Sequence, residues 1–115
     1  MGHCNLIWQG DANARAIQLL AHAANPPFIL NVTGRGALTI RSLATRLGEL
    51  LGRPVKFTGT EAGTAWIADA SKSYELFGPP TVNIDQVLVW VADWMKHGRS
   101  TLNKPTHFET RDGKF

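Results

Sequence analysis

Gly34-Arg35-Gly36 stands between the β-like run Phe28–Thr33 and a helical pattern that follows Thr39. A strand, a Gly-x-Gly turn and a helix N-terminus together direct backbone N–H groups and the positive helix end at an anion, commonly a phosphate. A full dinucleotide fingerprint also needs a third glycine close to the helix and an acid at the end of the next strand. Here Thr39 stands where the third glycine belongs, and "VKFTGTE" ends in Glu61. No further strand–helix–strand units follow to build the sheet that such a site requires. The plainer reading, a tight turn before a helix capped by Thr39, is therefore favoured, and no cofactor-binding residue is assigned.

Other chemistry-bearing residues do not assemble into a set. His3, His22, His97 and His107 have no ligand spacing with Cys4 or with carboxylates, so no metal is expected. His107 and Glu109 share one side of an extended tail, which is weak material for acid–base work. Tyr74 is the only tyrosine, and the residue four places on is Gly78. A phenol activated by a lysine one helical turn away is thus missing. Trp90 and Trp94, spaced four apart on an apolar helix, read as core or interface residues. No catalytic residue is assigned.

The elements that would position these groups follow from pattern and punctuation. "NLIW" (Asn5–Trp8) and "PVKFTG" read as strands, and "FILNVT" reads as the clearest one. A first helix is expected over "GDANARAIQLLAHAAN", capped by Asp11, with Ala16, Ile17, Leu20 and Ala24 on its apolar face. "NPP" ends it. Thr39 caps the second, whose stripe is Ile40, Leu43, Ala44, Leu47, Leu50 and Leu51; Gly52 and Pro54 close it. A third runs from a cap at Asp69 through Phe77 to Gly78. The fourth, "NIDQVLVWVADWMKHG", carries Ile84, Val87, Leu88, Val91 and Met95 on one stripe. The expected fold is α/β: a small single lobe with short strands, about four helices and no complete Rossmann domain.

Composition sets the outer limits. The 115 residues suffice for one domain with a modest core. Of them 43% are hydrophobic and 18% charged, the balance of a folded chain. No apolar run approaches the ~20 residues of a membrane span. "MGHCNLIWQGDANAR" lacks the basic start and apolar block of a secretory leader. A single cysteine fits a reducing cytoplasm and excludes an internal disulfide. The net charge of +3 comes from scattered residues, so neither nucleic acid nor membrane is an expected partner.

Three stretches carry a resemblance. "GDANARAI", "FILNVTGRGALTIRSLATRLGELLGRPVKF" and "WIADASKSYELFGPPTVNIDQVLVWVADWM" resemble, in order, the C-terminal part of NAD(P)-dependent epimerase/dehydratases. These are the extended short-chain dehydrogenases. "DASK" followed by "LFG-P" is the most specific element. The resemblance covers residues 1–103 and leaves 104–115 as an irregular tail, although "KPTHFETRDGKF" also resembles the close of one subgroup of the family.

The resemblance implies a substrate-binding lobe. NAD or NADP and the catalytic Tyr-x-x-x-Lys pair belong, in the family, to an N-terminal lobe that this sequence lacks, so the chain alone is expected to be inactive. Thr39, Ile40, Glu61, Thr64 and Trp66 are the residues expected to face a small-molecule substrate. The arginine that grips a nucleotide diphosphate in sugar-nucleotide epimerases would align near Gly59–Ala62, where no arginine stands. A substrate without a diphosphate is one consequence; replacement by Arg35 or Arg41 is the other. The alternative expectation is a self-associating interaction module without catalysis, forming a homo-oligomer.

Overall fold

The computed structural model describes residues 2–65 and 67–104. The order is β1 (His3–Cys4), α1 (Gln9–Leu19), β2 (Leu38–Thr39), α2 (Ile40–Leu51), α3 (Ser71–Phe77) and α4 (Ile84–Lys96), with a 3-10 turn, Leu20–His22, after α1. β1 and β2 pair antiparallel, His3 opposite Thr39 and Cys4 opposite Leu38. The fold is thus mixed α/β, four helices with a two-stranded sheet.

The helices start and stop where local chemistry says they should, with three exceptions, the first being that α1 gives way to the 3-10 turn at Leu20, short of the expected stop at "NPP". Thr39 has extended backbone and its side chain accepts from the Ser42 N–H, so it caps α2 as expected. α2 ends in a Schellman turn: Gly52 is left-handed at φ 65°, its N–H donates to Glu49 O, and Arg53 N–H donates to Gly48 O. Asn83 caps α4 by accepting from the Gln86 N–H at 2.9 Å. For α3 the cap position is Ala70, and Asp69 works from one residue further back, accepting from both the N–H and the hydroxyl of Ser71. The expected Asp11 cap of α1 is not formed. Trp8 occupies the cap position without a side-chain bond, and Asp11 lies inside the first turn, facing another part of the chain.

The strands depart further from expectation. "FILNVT" and "PVKFTG" form no strand, and the first strand is His3–Cys4 rather than Asn5–Trp8. A β-like run becomes a strand only when another segment offers a ladder of backbone partners. Side chains hold the 31–36 stretch instead. Asn5 Nδ2 donates to Gly36 O at 2.6 Å, Asn31 Nδ2 to Asp69 O at 3.0 Å, and the Tyr74 hydroxyl to Thr33 O at 3.0 Å. Asn5 Oδ1 also accepts from the Ala68 N–H at 2.7 Å, tying the chain start to the segment before α3.

α2 and α4 form the main helix–helix contact. Their stripes, Leu43, Ala44 and Leu47 on one side and Ile84, Val87 and Leu88 on the other, are half-buried. Arg46 reaches across to Asp85, Nε to Oδ1 at 2.8 Å, and this exposed pair fixes orientation more than stability. Deep burial is scarce. The hydrophobic residues buried among those described are Cys4, Ala70 and Ala92, all small. α1 is inverted relative to its pattern: Asp11 and Arg15 are buried, while Ile17 and Leu20, expected on the core face, are 69% and 75% exposed.

Candidate ligand cavity and the glycine turn

The glycine turn is shaped by close packing. A Cβ on Gly34 would overlap the Leu6 carbonyl, so the residue is glycine because backbone passes against backbone there. Gly36 has φ 66°, the left-handed conformation that turns the chain toward β2. The helix that follows begins only at Ile40. Its first donors are engaged: Ile40 N–H donates to Gly2 O at 2.9 Å, and Ser42 N–H to Thr39 Oγ1 at 3.0 Å. Two of the first donors of α2 are thus committed within the chain, and Thr39, where a dinucleotide fingerprint has its third glycine, serves as the helix cap.

Of the residues expected to face substrate, Thr39, Ile40 and Glu61 gather around Gly2. Thr39 pairs with β1 and caps α2; Ile40 opens α2; a Cβ on Gly2 would stand 2.8 Å from Glu61 Oε2. Glu61 forms an ion pair with Arg41, whose guanidinium also lies 4.7 Å from the centre of the Phe57 ring. Thr64 sits in the exposed 61–65 stretch, and Trp66 lies outside the described residues. Arg41 is thereby engaged by a carboxylate. Arg35 is not: its guanidinium lies over the Tyr74 ring, 5.7 Å from the centroid, and no carboxylate pairs with it among the described residues.

Arg35 stands at a cavity of about 340 Å³. Leu6, Leu38, Pro79, Pro80, Val82 and Ile84 give it an apolar wall, with Gly34, Thr81 and Asn83 completing the lining. The wall of residues 78–82 owes its shape to α1. Pro79 and Pro80 donate no backbone N–H, so the turn cannot satisfy its own polar groups, and α1 supplies partners. Arg15 Nη2 donates to Gly78 O at 3.0 Å and to Pro79 O at 3.1 Å. The Asp11 carboxylate accepts from the Thr81 hydroxyl at 2.6 Å and from the N–H groups of Thr81 and Val82 at 3.1 Å. Burial alone would raise the Asp11 pKa. The three hydrogen bonds, helped by the Arg15 charge, outweigh it and hold the carboxyl below its ordinary value.

Comparison with protein-family models, with curated proteins and with solved structures finds no match for this chain. The site therefore rests on its own geometry.

Sequence reasoning missed the inward pair. Asp11 and Arg15, four apart with opposite charge, look like an ordinary solvent-facing helix pair. The signal lay in the partner segment: a Gly-Pro-Pro turn leaves carbonyls and following N–H groups that need a donor and an acceptor from elsewhere. No group of three or more His, Cys, Asp or Glu residues that could hold a metal occurs among the described residues. No helix among them is long and apolar enough to cross a membrane.

Proposed function

We propose that this chain is the substrate-side lobe of an NAD(P)-dependent epimerase/dehydratase-like oxidoreductase, working against a cofactor-bearing lobe. The supporting observation is the inversion of α1. A helix that turns Asp11 and Arg15 inward and Ile17 outward, with Leu20 exposed just past its end, leaves apolar surface that a partner lobe would cover. The segments "FILNVT" and "PVKFTG", strand-like in composition but part of no strand, fit the same picture, because such segments can complete a sheet with a neighbouring lobe. The nicotinamide supplies hydride chemistry in its own lobe. This chain contributes shape and water exclusion, and Thr39, Ile40, Glu61, Thr64 and Trp66 are the residues we assign to the substrate side.

The glycine turn is a packing device in this reading, so the chain alone should not take the cofactor. Thermal melts with and without millimolar NAD or NADP check this. The account expects no shift; a saturable upward shift would overturn the assignment of cofactor binding to another lobe.

The second reading is a self-associating module. The face of α4 favours it, where Trp90, Val91, Trp94 and Met95 are each 42–54% exposed. Trp90 packs on Trp8 at 5.4 Å between ring centroids, and Trp94 donates to Ser100 O at 3.0 Å, so both rings are held while leaving area open. The subunit mass of the native protein separates the two readings.

A further inference from the structure

We infer that the cavity beneath Arg35 binds a small aliphatic monoanion, a carboxylic acid with an apolar body. The inference goes beyond the lobe reading and stands whether or not a cofactor-bearing lobe exists. Three observations carry it. First, the lining is mainly apolar, with Leu6, Leu38, Val82 and Ile84 among its walls, and its volume is in the range of small-molecule sites. Second, Arg35 is the charged residue of the lining, and the side-chain oxygens of Thr81 and Asn83 are already used within the chain. Thr81 gives its hydroxyl proton and N–H to Asp11, and Asn83 Oδ1 accepts from Gln86 N–H. That leaves the Arg35 guanidinium, with no carboxylate partner among the described residues, as the charged group at the cavity. Third, the walls are fixed before any ligand arrives. Asp11 and Arg15 pin residues 78–82, Gly34 is packed on Leu6, and the Tyr74 hydroxyl bonds Thr33 O beside Arg35.

A preformed wall lowers the ordering cost of binding, and a planar guanidinium matches a carboxylate in a two-bond fork. One cation fits one negative charge. A nucleoside diphosphate would bring at least two charges and a polar sugar to a wall of leucine, proline, valine and isoleucine, leaving its remaining groups without partners.

The test is amide-resolved NMR titration of the 115-residue chain with octanoate, octanamide and uridine diphosphate. Octanoate should shift the amides of Gly34, Arg35, Leu38, Val82 and Asn83 saturably. Octanamide should bind at least about tenfold more weakly, since it forfeits a charge-assisted pair. R35Q should lose that difference while its spectrum elsewhere stays unchanged, as expected for an exposed side chain. A second variant, V82W, fills the cavity and should abolish the octanoate shifts even if Arg35 is intact. Equal binding of the acid and amide, tighter binding of the diphosphate, or shifts lying outside the cavity would each overturn the proposal.

Discussion

At the residue scale, Asp11 shows how one carboxylate can shape a distant turn. It belongs to α1 by sequence, yet its oxygens serve Thr81 and Val82, some seventy positions away. Its pKa is held below the ordinary value near 3.8. A carboxyl that protonates less readily when folded adds stability that is fully present above the unfolded pKa and is lost as pH falls through the folded one. The expectation is therefore an acid-induced loss setting in below about pH 4. D11N should be less stable at neutral pH by about 1–3 kcal/mol, because charge-assisted bonds are replaced or left unmade. Its stability should also fall less steeply between neutral pH and pH 3. Asp69 and Asp85, also held low by hydrogen bonds from Ser71 and Arg46, keep part of that slope. Urea unfolding at a series of pH values reads both effects; a variant with the wild-type slope would remove Asp11 from this role. None of this was visible in the sequence, where Asp11 looked like a helix cap, because its partners depend on the tertiary fold.

At the element scale, helices were legible and strands were not. Thr39, Gly52, Asn83 and Gly78 mark helix ends by chemistry that acts within a few residues, and the structure uses all four at those ends. "FILNVT" and "PVKFTG" have strand composition, but a strand is defined by a distant backbone, and their sequences do not contain that information. The apolar stripes were equally ambiguous. Periodicity identifies a face, and packing decides which way it points, so Ile17 and Leu20 were assigned to a core they do not enter. Of the expected substrate-facing residues, Thr39 has an additional duty that can be measured. T39A removes the acceptor for the Ser42 N–H and should lower stability by about 1 kcal/mol, while T39S should recover most of it. Equal urea midpoints for T39A and the wild type would show that α2 does not depend on this cap.

At the scale of the whole molecule, the arrangement has few deeply buried apolar side chains and many half-open ones. Val55, Phe57, Val89, Trp90, Val91, Trp94 and Met95 are between 36% and 54% exposed, and Ile29 is 84% exposed. Full burial of such a side chain contributes roughly 1.5–3 kcal/mol, so under the proposed lobe reading covering several of them would favour association. The composition of 43% hydrophobic residues is that of a folded chain, and among the described residues much of that apolar area is only half-covered. The most direct measurement of the central claim is the intact mass of the native protein from its source cells, with peptide mapping. The lobe account predicts this sequence in company with a cofactor lobe, in one longer chain or a stable complex. Its digest should contain a Gly-x-Gly-x-x-Gly peptide and a Tyr-x-x-x-Lys peptide. A native protein built of 12.6 kDa subunits with neither peptide would contradict it and leave self-association as the account of the open apolar faces.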